Sequence, residues 1–194
     1  MYQSTIDTRG NVQFPRIIGQ RVYMQPFTKK DGLPKNLGGW QRTIDQMLDG
    51  IDTDGQIYLM IDQGWVKPGT TQRRPGPHVD MIWGNRGILC HGSGWGHGRR
   101  WRSHTGHLSG NHTQGIVLAS NVHGCVGYQG QYEEQCGKGG DCSHIDLSSM
   151  ETIPFLAGKV YAGDSMFMLH EAVPIEHECY RTVVRLNVDG WTPH

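Results

Sequence analysis

The chain has 194 residues, an apolar fraction of 36% and a mean hydropathy of −0.52, enough for one domain with its own core. Lysine plus arginine and aspartate plus glutamate balance at 18 each, so no net charge draws the chain to nucleic acid or an anionic membrane surface. No stretch approaches the ~18 apolar residues of a membrane span, and the opening MYQSTIDTRGNVQF holds no apolar leader core, so a cytoplasmic protein is expected.

Taken in chain order, residues 1 to 20 are polar with scattered apolar positions and read as an arm or edge strand. RVYMQPF (21–27) is a short strand. After the turn cluster KKDGLPKN, the residues Leu37, Trp40, Ile44, Met47, Leu48 and Ile51 fall at helical spacing and predict a helix over 37–51, packed on a sheet. QIYLMIDQGWV (56–66) is a strong strand, HVDMIW (78–83) another, and GIVLAS (115–120) and CVGYQGQY (125–132) two more. KVYAGDSMFMLHEAV (159–173) holds two short strands about a Gly-Asp turn, and CYRTVVRLNV (179–188) is the last strand.

Glycine, at 28 residues, is near twice its usual share of ~7%, which favours turns and close backbone approaches over long helices. Short strands punctuated by such turns, after one early helix, predict a mainly β sandwich or barrel with helical cladding. One domain is expected over 1–194. The stretch 89–112, crowded with Gly, His, Arg and Trp, has no period and reads as a functional loop or a disordered segment. Five cysteines, Cys90, Cys125, Cys136, Cys142 and Cys179, contain no C-x-x-C pair; mostly free thiols in a reducing compartment are expected.

The stretch RRPGPHVDMIWG carries a His-x-Asp pair. In an extended segment residues i and i+2 share a face, so His78 and Asp80 can converge on one ion. A third ligand is needed, and His170, in the phrase GDSMFMLH (163–170), supplies it. His177 competes but lacks the Gly-Asp strand context. A hairpin centred near residues 175 and 176 would set His170 opposite Arg181. Arg185 shares that strand face, ~13 Å further along at ~3.3 Å per residue, and is the alternate. Two imidazoles and one carboxylate form a facial triad with open positions, suited to non-haem Fe(II). An arginine nearby suits the far carboxylate of a chelating oxo-acid.

His78-x-Asp80, then His170, then Arg181 resembles the signature of the Fe(II)/2-oxoglutarate-dependent dioxygenase superfamily, with the likeness spread over about residues 56–188 by motif order. The resemblance implies a double-stranded β-helix (jelly-roll-like), with one or two helices on a sheet. It implies Fe(II) held by His78, Asp80 and His170, and 2-oxoglutarate held by Arg181 or alternatively Arg185. It implies hydroxylation of a small-molecule or side-chain substrate, coupled to decarboxylation of 2-oxoglutarate to succinate. An acid at position 80 is similar to the hydroxylases of that family, not to its halogenating members. The loop at 89–112 would then cover the site mouth, with Trp95, Arg99, Arg100, Trp101 and Arg102 binding substrate. His91, His97, His104 and His107 in that loop match no common metal spacing. Two rival readings are a cupin-type metalloenzyme without oxo-acid, which would carry a second His at position 80, and a non-catalytic jelly-roll structural or binding protein, for example viral.

Overall fold

The computed structural model describes residues 1–83 and 113–193. The polar N-terminal segment supplies two edge strands, β1 (Tyr2–Ser4) and β2 (Asp7–Asn11), which join different sheets. β3 (Arg21–Phe27) follows, then a 3-10 segment (Lys35–Trp40) that runs into α1 (Gln41–Met47). The remaining strands are β4 (Ile57–Val66), β5 (Gln114–Ser120), β6 (Cys125–Tyr132), β7 (Glu151–Pro154), β8 (Lys159–Asp164), β9 (Leu169–Ala172) and β10 (Cys179–Asp189).

The strands build two antiparallel sheets. The larger runs β2-β8-β5-β10-β4-β3. In the smaller, β6 pairs with β7 on one edge, and with β9 and β1 on the other. The architecture is the mainly β, jelly-roll-like arrangement expected, with one helix.

Period-two alternation divides β10 between two cores. Val184, Leu186 and Val188 face the helix side and pack with Leu59, Ile61, Val117 and Val160 against Leu37, Trp40, Ile44, Met47, Leu48 and Ile51. Arg181, Val183, Arg185 and Asn187 take the opposite face and point between the sheets. There a second core joins Ile116, Leu118 and Tyr161 of the large sheet to Ile6, Phe155 and Met168. All eight residues from Arg181 to Val188 are buried, because both faces of the large sheet are covered.

Several expectations are corrected. The helix is shorter than 37–51: Gly38 and Gly39, costly in an α-helix, lie in the 3-10 segment, yet the whole apolar stripe is buried as expected. HVDMIW is not a regular strand. Pro75 and Pro77 remove ladder donors just ahead of it, and Met81 adopts a left-handed backbone (φ 60°), leaving His78 as the one bridged residue of that run. β9 and β10 do not form a hairpin; they belong to opposite sheets. Finally, Cys136 and Cys142 are joined in a disulfide, while Cys125 and Cys179 are free. Among the described residues no helix is long and apolar enough to cross a membrane.

Candidate metal centre

The segment that carries His78 and Asp80 lies between two partners. On one side His78 donates its backbone N–H to the His170 carbonyl and accepts one back, each at 3.0 Å. On the other side it bridges Asp141, and Val79 N–H reaches Gly140 O at 2.9 Å while Cys142 N–H reaches Pro77 O at 2.9 Å. Ahead of the segment, Gly76, left-handed at φ 79°, makes the turn, and its N–H donates to Glu171 Oε2 at 3.1 Å. Glu171 is also the partner of the Tyr128 hydroxyl. Behind the segment, Met81 N–H meets Ser165 O (2.8 Å), and Gln114 grips Trp83 through both its amide atoms (2.8 and 2.6 Å). The ligand segment is therefore fixed along its length without being a regular strand.

Both imidazoles are oriented by their own backbone. His78 Nδ1 lies 2.8 Å from Gly76 O, and His170 Nδ1 lies 3.1 Å from Met168 O. A carbonyl only accepts, so each Nδ1 is assigned the proton and each Nε2 keeps its lone pair for a ligand. Ligand atoms of His78, Asp80 and His170 all lie within 4.8 Å of one another. His170 Nε2 stands 3.8 Å from Asp80 Oδ2, and the two rings are 4.6 Å apart between centroids.

Burial and the neighbouring His170 pull His78 down to about 4, against a smaller upward pull from Asp80. Burial likewise lowers His170, opposed by Asp80. Burial alone would raise Asp80, but Arg185 above all, with His170, His78 and Arg73, outweighs it and holds the carboxyl well below the usual range. Two neutral imidazoles and one carboxylate thus converge, and the buried Asp80 Oδ2 has no well-aligned hydrogen bond. A carboxylate beside two imidazole lone pairs is a donor set that a divalent cation would complete.

Arg181 and Arg185 reach the site across the sandwich, not along a shared hairpin. Arg185, opposite Met60 on β4 and Leu118 on β5, places Nη1 2.8 Å from Asp80 Oδ2. Without the expected hairpin, the ~13 Å offset of Arg185 along the strand does not keep it from Asp80, because the stacking of the two sheets sets its reach. Its Nη2 meets Met24 Sδ at 3.2 Å; Met24 is left-handed (φ 51°) at a bulge in β3, which re-aims its side chain inward. Arg181 is only 1% exposed. Its Nε donates to Ser120 Oγ at 3.1 Å, but its buried Nη1 has no partner. The glycine at 124 makes room for it: a Cβ there would stand 2.8 Å from the guanidinium carbon.

One cavity joins the triad, Arg181 and Arg185 to Arg73, Arg74, Cys125 and Lys159. Arg73 and Arg74 directly precede the Pro-Gly-Pro turn, a sequence signal that marks them as neighbours of the ligands. Cys125 carried no such signal; burial pushes its thiol up to about 12, so it stays protonated. His177 is exposed and outside the cluster. Trp95, Arg99, Arg100, Trp101 and Arg102, with the histidines of that loop, lie outside the described residues.

Fold and site together describe a jelly-roll-like β protein with a buried two-histidine, one-carboxylate cluster. No protein-family model matches the sequence, and no curated protein matches it significantly. Two solved structures of EvdO2 from Micromonospora carbonacea var. aurantiaca are similar to this chain. One aligns at 12% identity and a TM-score of 0.40, over 86% of this chain and 67% of its own. The other, described as complexed with 2-oxoglutarate, aligns at 15% identity and a TM-score of 0.43, over 93% and 76%.

Proposed function

We propose that this protein is an Fe(II)- and 2-oxoglutarate-dependent oxygenase of the hydroxylase type. The observation that carries the reading is the convergence of His78, Asp80 and His170 within 4.8 Å, in one cavity with a buried guanidinium whose Nη1 is unpartnered. His78 Nε2, His170 Nε2 and the Asp80 carboxylate would hold the metal. When bound, the iron would activate dioxygen, the oxidant, in a reaction that puts one oxygen atom into a substrate C–H bond and the other into 2-oxoglutarate, which leaves as succinate and carbon dioxide.

The chain's own residues do the rest. The Gly76 and Met168 carbonyls hold the two imidazoles in the tautomer that presents Nε2. Arg185 neutralises Asp80 and occupies one side of its Oδ2. Arg181, always charged and planar, would accept the far carboxylate of the oxo-acid on the donor it leaves free. Leu118, Phe155 and Ala172 line the same cavity and keep water away from the ligands. Arg73, Arg74 and Lys159 on the cavity wall suit a substrate that carries negative charge.

Mass-spectrometric detection of succinate with Fe(II), 2-oxoglutarate and a panel of candidate substrates tests the reading. Iron-dependent succinate release that disappears in His78→Ala and Asp80→Ala is expected. Equal release by both variants would overturn it.

A further inference from the structure

The disulfide loop Cys136–Cys142 presses on the segment that carries His78 and Asp80, and among the described residues no strand pairs with that side. His78 bridges Asp141, Val79 N–H binds Gly140 O, and Cys142 N–H binds Pro77 O. Arg74 ties the same two pieces together, with Nη1 2.8 Å from Gly139 O and Nη2 3.6 Å from Asp141 Oδ1. The approach is close: Gly139 and Gly140 are left-handed (φ 71° and 72°), and a Cβ at Gly140 would stand 2.1 Å from Val79 O. The loop itself is thin. Inside it Gly137 N–H binds Asp141 O (2.7 Å) and Gly140 N–H binds Gly137 O (3.1 Å), and the covalent link closes it one residue further out. The Cys142 sulfur is fully buried, whereas Cys136 is partly exposed and open to attack.

We infer that Cys136 and Cys142 are positioning residues for the metal ligands, and that their redox state sets how tightly the triad holds its ion. This inference rests on the metal-centre reading proposed above. A dithiol reductant would attack Cys136 Sγ, forming a mixed disulfide and releasing Cys142, which takes up a proton. The second reductant thiol then displaces Cys136, also protonated, and the reductant leaves as its own disulfide, with two electrons passed to the cysteine pair. Cutting the link frees the loop to move away from Pro77, His78 and Val79. One of the two backbone partners of the His78 segment then weakens, and a ligand whose outer support loosens holds its metal less well, by about ten-fold or more.

Mn(II) binding, read by the electron paramagnetic resonance of the free ion, tests this. The samples are oxidised full-length protein, protein reduced with a dithiol and then desalted, and the double variant Cys136→Ser/Cys142→Ser, which needs no reductant. One Mn(II) per oxidised chain, and about ten-fold or more weaker binding by the other two, is the expected result. Equal dissociation constants in all three would overturn the inference. No binding by the oxidised chain would instead overturn the metal centre itself. Deuterium uptake by metal-free protein gives a second readout that does not depend on any ion: reduction should speed exchange at the amides of residues 78–80 while β4 and β10 stay protected. Unchanged uptake at 78–80, or collapse of protection throughout the fold, would overturn a local clasp.

Discussion

His78 and His170 exchange both of their backbone hydrogen bonds, at 3.0 Å each, although nearly half of the chain lies between them. The candidate ligand pair is therefore also a β-bridge, and the site geometry is part of the pairing that joins the Pro-Gly-Pro segment to β9. Removing one imidazole should leave that bridge in place, because its bonds are made by the backbone. His78→Ala and His170→Ala should fold, with far-UV circular dichroism unchanged, and lose Mn(II) binding by more than about 100-fold, beyond the loss for an outer-layer residue. Calorimetric titration against the parent checks this, and a variant that binds Mn(II) with parental affinity would remove that histidine from the ligand set.

Arg181 and Arg185 should separate by phenotype. Arg181 keeps an unpartnered buried Nη1, so Arg181→Gln should raise the 2-oxoglutarate concentration needed for half-maximal succinate release by about ten-fold or more, the loss of a charge-assisted bond worth about 1.5–3 kcal/mol. Arg181→Lys should recover part of it, because charge returns without the planar fork. An unchanged requirement in Arg181→Gln would transfer the oxo-acid role elsewhere.

Arg185 instead balances Asp80, at 2.8 Å, and both side chains are nearly buried. Arg185→Met should leave a buried carboxylate without its cation and cost about 3–5 kcal/mol in metal-free protein. A divalent ion at the triad would restore a positive neighbour, so Mn(II) should raise the melting temperature of Arg185→Met more than that of the parent. Melts with and without Mn(II) decide it; equal increments would deny that Arg185 and the ion share Asp80.

Most of the fold was legible because burial and period agreed. In β10 the alternation of Val184, Leu186 and Val188 with Arg185 and Asn187 marked a strand, and the stripe from Leu37 to Ile51 marked a sheet-packed helix. The three residues of the candidate cluster were legible because His78 and Asp80 differ by two and His170 follows a Gly-Asp turn. What sequence could not supply was the partner of each strand. Placing β9 beside β10 was the simplest local pairing, yet β9 pairs with β6 and the arginines arrive through the stacking of two sheets. The disulfide was hidden for a similar reason: Cys136 and Cys142 meet because Gly139 and Gly140 turn the chain left-handed between them, a bend that spacing alone does not reveal.

The helix packing provides a control for every site variant. Ile44 is fully buried against the outer face of the large sheet, in the core that does not border the triad. Ile44→Ala removes three carbons from a packed site and should cost about 2–5 kcal/mol. Mn(II) affinity of the folded fraction should stay within about two-fold of the parent, since distant, unconnected sites add independently. Urea unfolding with parallel metal titration measures both, and a large loss of affinity would mean that the two cores are coupled through the sheet.

Acid should destabilise the metal-free protein in a defined window. His78 sits near 4 when folded, against an ordinary value of 6.5, chiefly through burial. Between those values the unfolded chain binds a proton that the folded chain does not, so stability rises with pH across the window. The contribution is fully present above about 6.5, and is lost as pH falls towards and through 4. The shift corresponds to about 3 kcal/mol at ~1.4 kcal/mol per unit, and burial of His170 acts in the same direction. Urea midpoints at pH 7, 6 and 5 should therefore fall steadily in chelator-treated parent, and His78→Ala should flatten the slope. A midpoint independent of pH over that range, or an equal slope in His78→Ala, would mean that His78 is not held neutral by burial.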